Sequence, residues 1–254
     1  MSVELAVSRR ARSRFVAIFM YTLRSCIPPK RWAAVLMPCG GALLFGLLAR
    51  AVDDTADVAF ANVAAEGIFS LMMPIAALII GDAVLGAEVR GGTFHFTWLS
   101  PASTWQIVLG RWLGGALVAV VTIAPATAAA AFVAGSPSSA GPAFIAATVG
   151  AVSYIALFIA IGCITQRTAV WSLAIVFLVE RLLGAALTGI AQISPTWESR
   201  AIFVGLLDDP PDRLVRDGIP QGWDAVVRLA IVTVLSLAVA NWRMRRIKLS
   251  GASD

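Results

Sequence analysis

The sequence predicts an all-α integral membrane protein: six transmembrane helices, an N-terminal amphipathic elbow helix, and a short interfacial or re-entrant segment before the last span. Three observations carry this. Of the 254 residues, 59% are hydrophobic and 14% charged, against about 45–50% and about 25% in soluble domains. The mean hydropathy is +0.83. The apolar residues fall into six long runs parted by short polar breaks. Intrinsic disorder is excluded because it needs the opposite bias. A spanning helix takes roughly 20 residues, so the chain accommodates about six spans. No room is left beside them for an aqueous domain of ordinary size, roughly 100 residues. The whole chain, 1–254, reads as one transmembrane domain.

The elements follow in order. Residues 8–28 form the elbow, its clearest stretch being 13–27. Phe15, Val16, Phe19, Met20, Leu23 and Ile27 recur at helical spacing, while Arg14, Tyr21, Arg24 and Ser25 take other faces. Apolar on one side and cationic on the other, such a helix lies in the interface rather than crossing it. Pro28 and Pro29 stop it. It is not a signal peptide, since no short apolar region with a small-residue cleavage site follows its arginines. The spans are expected at 32–49, 62–84, 108–134, 142–163, 169–193 and 225–240. The turn at 135–141 is plain. The segment 194–224 is too long for a turn and contains the run Ala201-Ile202-Phe203-Val204-Gly205-Leu206-Leu207, which is too short to span. Trp197 and Trp223 stand where interfacial anchors would.

Charge orients the chain. Arg9, Arg10, Arg12, Arg14, Arg24, Lys30 and Arg31 precede the first span, and Arg243, Arg245, Arg246 and Lys248 follow the last. These eleven of the 20 basic residues put both termini in the cytoplasm of a multi-pass plasma (inner cell) membrane protein, as an even span count requires. Asp53, Asp54 and Asp57, and later Asp208, Asp209, Asp212 and Asp217, then face outward, the second group mixed with Arg200, Arg213 and Arg216.

The residues that could do chemistry are few. Cys26, Cys39 and Cys163 are far apart and lack metal-ligand spacing. His95 is the single histidine and cannot make an acid/base dyad alone. No GxxxxGK[ST] occurs, so a P-loop nucleotide site is absent and any ATP must bind another chain. No catalytic, cofactor or metal site is therefore expected on this chain, and no nucleic-acid partner.

The inward loop at 85–105 is the most informative stretch. It mixes charge, the pair Gly91-Gly92 and the aromatics Phe94, Phe96 and Trp98. Large apolar side chains in a polar loop suggest a docking surface.

The run Glu88-x-Arg90-x-Gly92-Thr93, followed by Trp98-Leu99, Ser100-Pro101 and Ile107-Val108-Leu109-Gly110-Arg111, resembles the signature of ABC-2 type permeases, the six-span membrane subunits of ATP-binding cassette exporters. Val179-Glu180-Arg181-Leu182-Leu183 with Ile193-Ser194-Pro195 is similar to the fifth span of actinobacterial members. The resemblance implies a transport subunit rather than an enzyme, forming the path for a hydrophobic or amphipathic substrate such as a drug, lipid, peptide or glycan. It implies two ATPase chains carrying ATP and Mg, a second permease chain in a homo- or heterodimer, and surrounding membrane lipid. It also implies that the stretch from Glu88 to Leu99 holds the coupling helix, with Glu88, Arg90, Phe94, His95, Phe96 and Trp98 touching the ATPase. Two departures stand out: Thr104 where members often carry arginine, and Arg111 for the common lysine.

Ionisable residues within spans are costly and are functional suspects by default. Glu180 and Arg181 are expected near the middle of the fifth span, with Glu66 and Arg228 near the outer face. All four either pair between helices or line a translocation path, Glu180 being the foremost candidate. Asp82 and Glu88, at the inner end of the second span, are expected to face water. Two other functions compete. An intramembrane enzyme, a CAAX-type protease or lipid-modifying enzyme, needs convergent acids and histidines at midplane depth. An ion-coupled secondary transporter is built from repeats and broken helices, and no internal repeat is visible.

Overall fold

The computed structural model describes residues 2–27, 32–52, 55–86, 88, 101–165 and 167–246. Among these every regular element is helical. Helices α1 (Ser2–Cys26) and α2 (Trp32–Arg50) come first. Five helices are long and apolar enough to cross a membrane: α3 (Ala56–Gly86), α4 (Thr104–Ala134), α5 (Pro137–Ile164), α6 (Thr168–Ala186) and α8 (Trp223–Arg246). Between the last two lies α7 (Pro195–Gly205).

Local chemistry fixes the ends. Ser103 and Gln106 form a reciprocal capping box at the start of α4, and Gly135, at φ 86°, closes it. At the N-terminus of α3, Asp57 Oδ1 accepts hydrogen bonds from Ser136 Oγ at 2.5 Å and Ser138 Oγ at 2.9 Å, which ties that helix to the α4–α5 turn. Ser194 Oγ accepts from Trp197 N, and Pro195 occupies the first turn of α7.

Several boundaries differ from the sequence expectation, among them the end of α8 at Arg246 rather than residue 240. The second span begins six residues earlier, because Asp57 serves at the helix start rather than in a loop. The fifth ends at Ala186 instead of residue 193, broken by the extended Leu187. Glu180 and Arg181 therefore sit in its last two turns, toward the α7 end, and not at mid-span. The apolar run at 201–207 forms only the second half of α7 and a following turn.

Three stretches are π-helical: Ala64–Met72 and Asp82–Gly86 in α3 and Ile175–Leu183 in α6, with Met73 N bonding Ile68 O and Gly184 N bonding Val179 O. Such widened turns frequently mark functional sites. Here the first holds Glu66, the second Asp82, and the third Glu180 and Arg181.

α5 lies at the centre, packed by α3, α4, α7 and α8. Its Tyr154, Ile155 and Phe158 are wholly buried. Phe203 of α7 inserts against Phe60 and Phe69 of α3, with ring centroids 6.1 and 5.1 Å apart. α6 is the outlier: 22% of its apolar window is buried, against 67% in α3 and α5. α1 packs on α4 where Gly110 and Gly114 admit it. A Cβ at Gly114 would stand 2.8 Å from Thr22 Cβ, and one at Gly110 3.0 Å from Ile18 Cγ2. Thr22 and Cys26 are accordingly the buried positions among the described side chains of α1, while Val16, Met20 and Ile27, half of the expected apolar stripe, are exposed.

Candidate functional site

Polar side chains gather at two ends of the bundle. The first cluster forms where α1, the end of α3 and the start of α4 converge. Arg111 lies two turns into α4 and is 1% exposed. Its Nη1 donates to Val84 O at 2.5 Å, and its Nη2 to Glu88 Oε2 at 2.5 Å. Tyr21 of α1 also hydrogen-bonds Glu88, and partial burial together with that carboxylate holds the phenol above its ordinary value. Nearby, burial pushes the Cys26 thiol up to about 11, against the pull of Ser25 and Arg111.

Glu88 thus does not face water as the sequence suggested. Its partner comes from 23 residues downstream, across a segment whose hydropathy pattern holds no record of the pairing. Arg14 Nη1 donates to Pro101 O at 2.8 Å. Thr104 Oγ1 donates to Asn241 Oδ1 at 2.8 Å and accepts from Arg245 Nε at 3.3 Å. At Thr104, where the resembled motif often has its own arginine, a guanidinium arrives from α8. The remaining docking candidates, Arg90, Phe94, His95, Phe96 and Trp98, lie outside the described residues.

The second cluster joins α6 to α7. Glu180, 3% exposed, receives at Oε2 the Tyr154 hydroxyl at 2.5 Å, Ser194 Oγ at 3.0 Å and Thr196 N at 3.2 Å. Tyr154 Oη also hydrogen-bonds Thr196 Oγ1. Trp197 Nε1 donates to Glu180 O at 2.9 Å. The Trp197 ring lies against two guanidinium groups, Arg200 at 5.2 Å and Arg216 at 4.6 Å. Arg216 in turn donates to Gly184 O and Ala185 O, capping the end of α6. Arg181 points elsewhere, its Nη1 3.3 Å from Ser70 O of α3. Adjacent positions on a helix diverge, so the Glu180-Arg181 dipeptide reaches two different neighbours.

The same end holds Glu66, mostly exposed, which pairs with Arg200 Nη1 at 2.6 Å. Glu198 of α7 is fully buried, and neither of its oxygens has a hydrogen-bond partner among the described residues. Burial pushes its carboxyl up to about 7, with the charge of Arg228 acting in the opposite direction. Of the four candidates, Glu180 joins the α6–α7 network, Arg181 and Glu66 line one groove described below, and Arg228 acts on Glu198 only through its charge.

The hydrogen bonds to Glu180 tie α6 to α5 and to the start of α7. Every donor on Glu180 comes from a structural neighbour, and α6 has little other burial to hold it. Among the described residues no three His, Cys, Asp or Glu side chains gather as a metal site would require. Sequence reasoning missed Tyr154, Thr196, Glu198 and Arg200. One signal was legible: the chain has two tyrosines, and each bonds a buried glutamate. No protein-family model and no curated protein matches the chain.

Proposed function

We propose that the chain is the membrane subunit of an ATP-driven ABC-2 type exporter, a permease passing a hydrophobic or amphipathic substrate. In this reading α2, 19 residues long, is the sixth span beside the five long helices, since roughly 20 residues suffice to cross. α1 is the elbow, and both termini lie in the cytoplasm of the plasma membrane. ATP and Mg belong to two partner ATPase chains, and a second permease chain completes the dimer.

The observation that carries the reading is the pairing of Glu88 with Arg111 at 2.5 Å. These are the two charged ends of the motif that resembles the family's signature, so the loop between them springs from a braced base. Force applied to that loop by an ATPase would pass into α1, α3 and α4 together, because Tyr21, Val84 and Arg111 all meet there. A braced loop transmits displacement, whereas a loop hung on solvated ends absorbs it.

The test is reconstitution with the ATPase that copurifies in mild detergent. Replacing Phe94 and Trp98 together by alanine should leave membrane insertion intact and abolish substrate-stimulated ATP hydrolysis. Unchanged stimulation would refute the reading. So would turnover of a substrate by the purified chain with no companion polypeptide.

A further inference from the structure

The geometry points to a binding groove for an anionic phospholipid between α2, α3 and α6, its phosphate on Arg181. The groove is open and measures about 480 Å³, within the roughly 300–1,000 Å³ of small-molecule clefts. Phe45, Leu48, Val63 and Leu71 supply apolar walls, and Asn62, Glu66 and Arg181 the polar lining. The ring of Phe45 rests directly on Gly67, where a Cβ would come within 2.6 Å of it, so the floor is flat and made of hydrocarbon.

The charges are unbalanced in one direction. The Glu66 carboxylate is taken by Arg200 at 2.6 Å. Asn62 Oδ1 accepts from Arg213 Nε at 2.6 Å, and its amide group donates to Val58 O. Arg181 has no ion pair among the described residues, only a 3.3 Å contact to the Ser70 carbonyl. Among the described residues, three guanidinium groups, one lining the slot and two bonded to its polar lining, thus meet one carboxylate. A cation on a membrane-spanning helix is costly unless a counter-charge reaches it. A phosphate matches a guanidinium fork in charge and geometry, and an acyl chain matches the slot. A neutral or zwitterionic lipid would fill the slot but leave the excess cation unbalanced. The proposal does not rest on the export reading, since a lipid would be held there whatever the chain moves.

The full chain in detergent is titrated with dioctanoyl phosphatidylglycerol and with dioctanoyl phosphatidylcholine, and bound lipid is read by native mass spectrometry. The anionic lipid should bind at least about tenfold tighter, the size of one charge-assisted hydrogen bond. R181Q should remove that preference, R181K should restore part of it, and R167Q, which removes an exposed arginine at the other end of α6, should keep it. L48W should weaken both lipids by blocking the slot. Excess glycerol phosphate, a headgroup without chains, should fail to displace the lipid. Equal binding of the two lipids by the unmodified chain overturns the proposal. So does a preference that survives R181Q, unweakened binding in L48W, or displacement by glycerol phosphate, which would make the site one for free anions.

Discussion

Arg111 offers the sharpest test of how the end formed by α1, α3 and α4 is held together. Replacing it with alanine removes a guanidinium that is 1% exposed and bridges Val84 O and Glu88. Glu88, 9% exposed, then loses this guanidinium partner. Breaking a buried pair by deleting one partner costs about 3–5 kcal/mol. For a chain of this size each kcal/mol moves Tm by about 2–4 °C, so R111A should melt roughly 6–20 °C lower. R111K retains the charge on a single nitrogen. That nitrogen cannot reproduce a fork bonded to both Val84 O and Glu88, and the loss should be smaller but clear. Replacing both members, as R111M with E88M, removes the carboxylate as well and should recover at least about half of the loss.

The protein supplies its own probe. Cys26 and Cys163 are free and buried, and the Cys26 thiol, pushed up to about 11, is scarcely ionised at neutral pH. A thiol-reactive fluorogenic dye therefore labels these positions only as the bundle opens, and its thermal midpoint reports unfolding in detergent. The bracing argument is refuted if R111A melts within 2 °C of the unmodified protein, the smallest shift about 1 kcal/mol would give. It also fails if the double variant is no more stable than R111A.

Two further predictions concern the α6–α7 end. E180A leaves the Tyr154 hydroxyl, Ser194 Oγ and Thr196 N without their acceptor, at about 1–3 kcal/mol for each buried group left unpaired. Trypsin should then cut faster after Arg213 and Arg216, with Y154F intermediate, and unchanged cleavage in E180A would contradict that tie between α5, α6 and α7. Glu198 governs a pH effect. Its folded-state carboxyl, near 7, lies above the ordinary 4.5, so its protonated form stabilises the fold below the ordinary value and that contribution is lost as pH rises through 7. Tm should fall between about pH 4.5 and pH 7 in the unmodified protein and level off above, and E198Q should flatten that fall; an undiminished slope in E198Q would assign the effect elsewhere.

What the sequence revealed and what it hid divide along a physical line. Hydropathy is a local, additive property, so five of the expected spans appear as helices long enough to cross, and α7 appears where an apolar run too short to span had been noted. Helix ends were legible where a cap is local, as at Ser194-Pro195. They were misjudged where a distant group supplies the partner, as when Asp57 takes its hydrogen bonds from Ser136 and Ser138. π-helical turns were invisible because a widened turn keeps the same apolar composition and changes only which carbonyl each amide reaches.

Pairings were hidden for a deeper reason. In a helix bundle, contact is set by which faces meet, and neighbouring faces come from segments tens of residues apart. Glu180 finds Tyr154 26 residues upstream and Thr196 16 downstream, and nothing in the local pattern of either segment names the other. Yet the cost of burying an ion in hydrocarbon makes each intramembrane charge a promise of some partner, and that much could be read. For Glu180 the promise is met by three donors on its Oε2, and for Glu66 by Arg200. For Arg181 a lone carbonyl at 3.3 Å meets it poorly. Among the described residues no carboxylate pairs with Arg181, so by the same rule that predicted partners for the others the groove between α2, α3 and α6 is the place to look for a bound anion.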